Sequence, residues 1–557
     1  MSSDNEYDLV VLGSGAAGLA AALTGCVLGA RVLVAEKSEL IGGTTAMSGG
    51  CIWVPNNHLM RAAGLHDSAD DALAYIRSVA PDGWAETEEP LWQTFVEQAP
   101  QMLSFVERHT SLRFGMGGEP DPYMQAPGAR PRGRNVSPRP FRYGALGPWR
   151  HRIRASLMPY RLTYNEITDH HLVADPKQAV FRFGHRLLGR TISDRRAMGQ
   201  SLVAGLLLAC LRQGCAVRTG LRGRRLVVRE GRVTGVEFQH SASSESVTAR
   251  HGVVIATGGF EWNRDMIDRY HPGPTTWTAS PDTNTGDGHQ MAADVGALLE
   301  RMDQALIMGT RPVHYLGKAH ATPAADYTLP HSMVVNPSGK RFVNEVQMNI
   351  GLALDARHPL TGERLNAPAW RIYDAQYVSR YRHALPKGPE LIQAPSLRAL
   401  AELAGLDPEG LEREAARMTH FARSGRDEDF GRGSPGWDPG RNGDPRIGPN
   451  SCLGTIERPP FYAFPMPVSF LGTKGGPRTN AFGQVLDKHR QPIGGLYCAG
   501  NAMANPFGSK AVGAGTTLGP CLTWGYVCGL DAVGHLRESS SDTTSRRRSA
   551  ADKAQMR

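Results

Sequence analysis

The first 37 residues restrict the fold more than any other stretch of the chain. YDLVVL is an apolar, β-branched run of buried-strand type. GSGAAG follows, then the small-residue helix pattern LAAALTGCVLG ending at Gly29, then RVLVAE as a second parallel strand. Gly13, Gly15 and Gly18 form G-x-G-x-x-G, and Glu36 closes the second strand 18 residues after the last glycine. Gly13 permits the tight turn, Gly15 lets the backbone approach a pyrophosphate, and Gly18 allows helix to pack closely on strand. The helix start at Ser14, Ala16 and Ala17 offers unpaired N–H groups and a positive dipole end to phosphates. Glu36, followed by Lys37, is placed to accept hydrogen bonds from a ribose. The unit reads as a dinucleotide-binding βαβ, which sets the fold class as α/β, with a doubly wound, Rossmann-like domain.

Two later segments extend that reading. Ala216–Thr219 is a short strand that brings Val217 to the nucleotide, and residues 225–238 form a hairpin turning at Glu230–Gly231. HGVVIATGGF then runs a strand into Thr257, Gly258 and Gly259, a backbone able to pass close to a cofactor. Near the C-terminus a strand from Leu496 leads into Gly500 and Asn501, and Gly513, Gly515 and Gly519 open an apolar helix at Thr517–Leu518 that runs to about Gly529.

Composition narrows the class further. A chain of 557 residues exceeds one ordinary core, so two or more domains are expected. The longest apolar run, Leu202 to Leu211, is far short of the roughly 20 residues that span a bilayer, so no transmembrane segment is expected. The eight cysteines are scattered without paired spacing. They read as buried small residues of a reducing, cytoplasmic protein, with neither a disulfide frame nor a metal site. Nine arginines lie between Arg130 and Arg161 with no acid among them. Without interleaved aromatic residues they give no nucleic-acid reader and are expected to be a solvated basic surface, an anionic substrate being the alternative. The Ser/Thr/Arg-rich segment 536–557 is expected to be disordered.

The motifs in their order resemble the FAD-dependent oxidoreductases of the fumarate reductase and succinate dehydrogenase flavoprotein superfamily, and within it the 3-ketosteroid 1-dehydrogenase branch. The resemblance rests on GSGAAGLAAAL, Glu36-Lys37, GGTTAMSGGCIWVPNN, TGDGHQMA, GKRFVNE, PAWRIYD, PPFYAFP, GTKGGPRTNAFGQVL and GLYCAGN, which cover nearly the whole chain. It implies FAD as cofactor, bound by a discontinuous domain of residues 1–275 and 455–535, with an inserted α+β cap at 276–454. It places Gly43, Thr44, Thr45, Ser48, Gly49 and Gly50 along the flavin, with the helix start near Gly515, Thr517 and Leu518 at the pyrimidine edge. Relatives with covalent FAD carry a histidine just before this segment. Thr44 and Thr45 stand there, so noncovalent FAD is expected.

Removing hydrogen from a CH–CH bond beside a carbonyl needs a proton acceptor, donors for the enolate oxygen, and flavin to take the hydride. The resemblance puts an active-site tyrosine at Tyr123 and the oxyanion-hole N–H at Gly515. Two expected phenols are missing: Ala511 stands where a tyrosine precedes the oxyanion glycine, and the segment after FVNE reads Val346, Gln347, Met348, Asn349. Tyr327, His331 and Lys510 are the substitutes that the sequence offers. The implied activity is dehydrogenation of a hydrophobic 3-ketosteroid-like or cyclic ketone, with an external electron acceptor. A fumarate-reductase-like ene reductase and a non-catalytic flavin-binding sensor are the alternatives.

Overall fold

The computed structural model describes residues 5–240 and 243–534; the tail expected to be disordered lies outside the described residues. Its centre is an eight-stranded sheet. Strands β1 (Glu6–Leu12), β2 (Val32–Ala35), β3 (Ala216–Arg218), β4 (Arg222–Arg229), β5 (Arg232–His240), β6 (Ser243–Ile255), β7 (Gln484–Leu486) and β8 (Pro492–Cys498) build it. Five of them run parallel in the order β3-β2-β1-β6-β8. The hairpin β4–β5 attaches to the first half of β6, and β7 pairs antiparallel with β8. Buried on both faces, the parallel strands carry unbroken apolar runs: Val32 to Ala35, Val253 to Ile255 and Leu496 to Cys498 are all sealed from solvent.

Helix α1 (Ala16–Val27) is built of Ala and Leu, which pay little to become helical. It packs against helices α3 (Met198–Arg212) and α4 (Leu518–Ala532), while α2 (Lys177–Ile192) lies elsewhere, on an excursion from the sheet. Small residues set the spacing of α1 and α4. A Cβ at Gly525 would lie 2.2 Å from the Ala17 carbonyl oxygen, and one at Gly529 would lie 2.6 Å from Thr24 Cβ. A three-stranded antiparallel sheet of Ile52–Trp53, Asn135–Pro138 and Phe114–Met116 sits beside this layer.

The insert has its own four-stranded antiparallel sheet, ordered Ser332–Val335, Ala369–Tyr373, Phe461–Met466, Ile392–Ala394. Leu400, Leu411, Met418 and Phe421, from helices Leu397–Ala404 and Pro408–Ser424, close an apolar core on it. The expected boundary at 454/455 falls too early. Strand Phe461–Met466 pairs with Ala369–Tyr373 and Ile392–Ala394, and Phe470–Thr473 pairs with Ala305–Ile307. The insert's pairing therefore continues to Thr473, because the chain must supply a central strand before it returns to β7.

The basic stretch is the expected solvated surface at Arg132, Arg139, Arg142, Arg150 and Arg152, which are exposed, but not throughout. Arg134 is 1% exposed and donates to Asp67 and Asp121, and Arg154 is buried as well. The acids that neutralise this run lie outside it in sequence. All eight cysteines are free thiols, and no helix among the described residues is long and apolar enough to cross a membrane. No cluster of metal-ligating side chains occurs among the described residues.

Candidate active site

A long cavity opens at the carboxyl ends of β1, β2 and β6, where an open α/β sheet binds ligands. Gly13 turns the chain there at φ +104°, with room for a Cβ only 2.4 Å from the Ala256 carbonyl oxygen. Gly15 follows in extended conformation and heads α1; contrary to the expectation of unpaired groups at Ser14 and Ala16, the Ala16 N–H donates to Thr45 Oγ1 at 3.0 Å and the Ser14 N–H to Glu36. Ser14, Ala16 and Ala17 share this wall of the cavity. Ser14 donates from both its N–H and its hydroxyl to Glu36 Oε2, at 3.1 and 2.7 Å, and Ser38 N–H donates to Glu36 Oε1 at 2.8 Å. These bonds fix the carboxylate at the cavity edge with acceptor capacity to spare. Lys37 Nζ reaches Thr285 and Asp287.

Gly43, Thr44, Thr45 and Ser48 line the second wall; Thr257 and Gly258 line the third; Gly500, Asn501, Thr517 and Leu518 close the far end. Two buried polar atoms in this lining, Thr257 Oγ1 and Asn501 Oδ1, have no protein partner. A buried polar group without a partner is costly, so both suit a polar ligand. Together with the glycine turn at the start of α1, they fit FAD. The lining contains no histidine, and burial pushes the thiol of its only cysteine, Cys521, up to about 12. Acid precipitation should therefore leave a colourless pellet and all the flavin in solution; yellow colour retained in the pellet would mean a covalent link.

Gly18 holds the packing position that the motif assigns it, and several other expected contacts pack against protein instead. A Cβ at Gly18 would meet the Gly13 carbonyl oxygen at 2.0 Å, which is close helix-on-strand packing. Gly49 abuts the Tyr164 ring, Gly50 abuts the Met198 backbone, and Gly259 abuts Glu261 and Thr473. Val217 pairs with Val34 inside the sheet. Gly515 has φ +93°, and its Cβ direction points at the backbone of Ile52 and Trp53, 2.5 to 2.6 Å away. A valine there would wedge two segments apart, so it cannot serve as a clean probe of the Gly515 N–H. That N–H finds no acceptor among the described residues.

The expected catalytic residues separate into two groups. Tyr123 Oη accepts a 2.6 Å hydrogen bond from Asn349 Nδ2. Asn349 is itself locked, donating to the Ala511 carbonyl and accepting from the Ala511 N–H, both at 2.9 Å. Because Asn349 supplies a hydrogen to Tyr123, the phenol's own hydrogen is free to go elsewhere. Lys510 Nζ stands 5.5 Å from the centre of the Tyr123 ring. Tyr327, by contrast, is 3% exposed in the insert's apolar core with Ile307, Val334 and Met466. His331 is held by the Thr455 carbonyl. Among the described residues no hydrogen bond or ring contact joins either of them to Tyr123, although the Arg441 guanidinium acts on the Tyr327 phenol.

Sequence reasoning missed the most polar assembly of the region. Glu119, four residues before Tyr123, is buried; it accepts from the Tyr164 hydroxyl at 3.0 Å and from Asn135 Nδ2 at 3.0 Å, and forms an ion pair with Arg441, whose Nε lies 2.6 Å away. Arg441 also donates to Tyr164 Oη at 3.1 Å. Asn135 bridges onward to the Ala514 carbonyl, next to Gly515, and the Tyr164 ring lies on Gly49. Burial pushes the Glu119 carboxyl up, against the pull of Arg441. Burial also opposes the Arg441 charge, yet Tyr164 and Glu119 beside it raise its pKa overall. The faint signal in the sequence was Glu119 itself, an acid between glycines and prolines in GGEPDPY.

Comparison with known proteins places this architecture. The family model of the FAD binding domain matches residues 8–518. The chain is 36% identical to the 3-oxosteroid 1-dehydrogenase of Mycolicibacterium smegmatis, over 94% of this chain and 97% of that protein. It is also 36% identical to the 4-oxocyclohexanecarboxylate 2-dehydrogenase of Sinomonas cyclohexanicum, over 95% and 93%. The crystal structure of 3-ketosteroid delta1-dehydrogenase from Sterolibacterium denitrificans, in complex with 1,4-androstadiene-3,17-dione, superposes with a TM-score of 0.86. It shares 32% identity and covers 95% of this chain and 99% of that one. The chain therefore belongs to the FAD-binding flavoenzyme family of the 3-oxosteroid 1-dehydrogenases and is an FAD-dependent oxidoreductase acting on CH–CH donors.

Proposed function

We propose that the protein desaturates a cyclic ketone, steroid-like in its ring A, at the CH–CH bond beside the carbonyl. The observation that carries this reading is the assembly of Tyr164 and Arg441 on the buried Glu119, linked through Asn135 to the segment of the free Gly515 N–H, which together offer a proton acceptor and an oxyanion donor. In this scheme the carbonyl oxygen accepts from the Gly515 N–H and from the Tyr123 hydroxyl, whose hydrogen Asn349 leaves unengaged. Tyr164 Oη takes the proton from the carbon next to the carbonyl while its own proton passes to Glu119 along their 3.0 Å hydrogen bond. Arg441 holds Tyr164 and Glu119 in register and balances the carboxylate charge. The bound FAD supplies the hydride acceptor, and a separate oxidant then has to take the electrons. Eight free thiols support a reducing, cytoplasmic setting.

The test is anaerobic mixing with 3-ketosteroids and simple cyclic ketones. Bleaching of the flavin spectrum with formation of the conjugated enone is the expected result. If only enones act, by restoring colour to reduced enzyme, the protein is an ene reductase and the proposed direction fails.

Lys510 favours one variant of this reading, a ring ketone that bears a carboxylate. Its ammonium lies beside Tyr123 and has no carboxylate partner among the described residues. A relative named for such a substrate is 36% identical. Losing a hydrogen bond to a charged group costs roughly 10- to 100-fold. Lys510→Met should therefore lower kcat/KM by about that factor for 4-oxocyclohexanecarboxylate and leave 3-ketosteroid turnover unchanged. An equal effect on both substrates would remove the carboxylate from the reading.

A further inference from the structure

Among the described residues Lys474 is the only lysine sealed from solvent, at 0% exposure, and it has no part in the proposed proton transfer. Its ammonium makes one hydrogen bond, to the Gly508 carbonyl at 2.9 Å, and meets no carboxylate among the described residues. Removing an ammonium from water is costly, and one neutral carbonyl does not offset that cost. Burial pushes Lys474 down to about 8, so it still carries its charge at neutral pH. The titratable group that acts on it is Cys521, whose own thiol is pushed up to about 12 by burial and stays neutral. The surrounding side chains therefore supply no negative charge for this ammonium.

Cys521 connects Lys474 to the cofactor cavity. It lines the far end, together with Asn501, whose buried Oδ1 has no protein partner. Leu471, three residues before Lys474, lines the same cavity. Cys521 also lies in the first turn of α4. That helix has no side-chain cap at Thr517 and no acid in its first turn, so its positive end is not neutralised either. A buried ammonium and an uncapped helix start thus converge on one end of a cavity that fits FAD. Both lack an anion. A flavin that has accepted hydride carries one, spread over N1 and the C2 carbonyl.

We infer that Lys474 is the cation that stabilises the reduced flavin and so raises the potential at which the enzyme takes hydride. It acts through its field alone, which is little weakened across a buried, water-free path. The inference rests on the FAD assignment and not on the substrate, since a flavin potential is measured without any ketone. Lys474 also braces the loop that leads to Lys510 and Gly515. Its carbonyl accepts from the Asn505 N–H at 2.9 Å while its ammonium closes on Gly508. Charge and bracing are separable, because a neutral donor can serve the Gly508 carbonyl but cannot supply a field.

The experiment is reductive titration of the flavin-loaded protein against dyes of known potential, together with titration by sulfite. Sulfite donates its electron pair to flavin N5, forming an N–S bond and leaving the negative charge at N1 and the C2 carbonyl, so its affinity reports the same field. The native potential should lie above that of free FAD. Lys474→Gln keeps a donor for Gly508 without the charge, and Lys474→Met removes both. Each should shift the potential downward and weaken sulfite binding by about tenfold or more. Lys474→Arg, which restores the charge, should recover most of both. A native potential at or below that of free FAD would overturn the inference without recourse to any variant. Native potential and sulfite affinity in either neutral variant would overturn it too, and would leave Lys474 as a brace of the 505–509 loop alone.

Discussion

Tyr164→Phe should lower turnover by roughly 100- to 10,000-fold, the range of a lost general acid–base group, with the resting flavin spectrum unchanged. The phenol ring stays in place against Gly49, so the flavin-side wall keeps its shape. What disappears is the hydroxyl that donates to Glu119 and accepts from Arg441. Glu119→Gln interrupts the same transfer one atom further on, and the double variant should be little worse than either single one, because both remove one step. The pH profile separates this role from simple support. Only ionised Glu119 can receive a proton, and burial raises its carboxyl above the ordinary value. The acid limb of kcat/KM should therefore lie above the usual carboxylate range and vanish in Glu119→Gln. Full turnover in Tyr164→Phe would remove the assembly from the mechanism and return the search for a base to Tyr123.

The contrast between what the sequence disclosed and what it hid has a physical origin. Gly13, Gly15 and Glu36 act through backbone geometry within one βαβ unit, so their spacing in sequence is their spacing in space. The same holds for Gly258 and Gly500, each at the carboxyl end of a parallel strand. Glu119, Tyr164 and Arg441 lie 45 and 277 residues apart as successive partners, and no local pattern records such a meeting. Arg130 and Arg134, within a run that is otherwise mostly exposed, are hidden from sequence for the same reason: Asp67, Asp71 and Asp121, which neutralise them, are contributed from elsewhere. Strand Phe461–Met466 belongs to the insert because its pairing with Ala369–Tyr373 and Ile392–Ala394, which no local motif records, completes that sheet. Asn349 illustrates the limit most directly. Its type excludes it as a base, which the sequence shows, but its positive role, aiming the Tyr123 hydroxyl, appears only in its bonds to Ala511 and Tyr123.

Gly15→Val should yield folded protein that contains no flavin. Of the three motif glycines, this is the one where folding and binding come apart. At Gly13 a side chain would face φ +104° and a carbonyl oxygen at 2.4 Å, and at Gly18 one at 2.0 Å, so substitutions there damage the sheet itself. Gly15 sits at φ −72° and ψ −174°, an extended conformation that valine adopts readily. Its Cβ would meet only Thr45 Oγ1 at 3.6 Å, an ordinary contact. The valine methyl groups would instead fill the cavity at the N-terminus of α1, where a pyrophosphate takes up the helix N–H groups. Ligand binding stabilises the folded state by mass action, so the variant should melt lower than the flavin-loaded native protein and level with native protein stripped of flavin. Unchanged circular dichroism with no visible absorbance is the expected outcome. A yellow Gly15→Val protein with native flavin content would show that the pyrophosphate does not lie over this turn, and the assignment of the cavity wall would have to be redrawn.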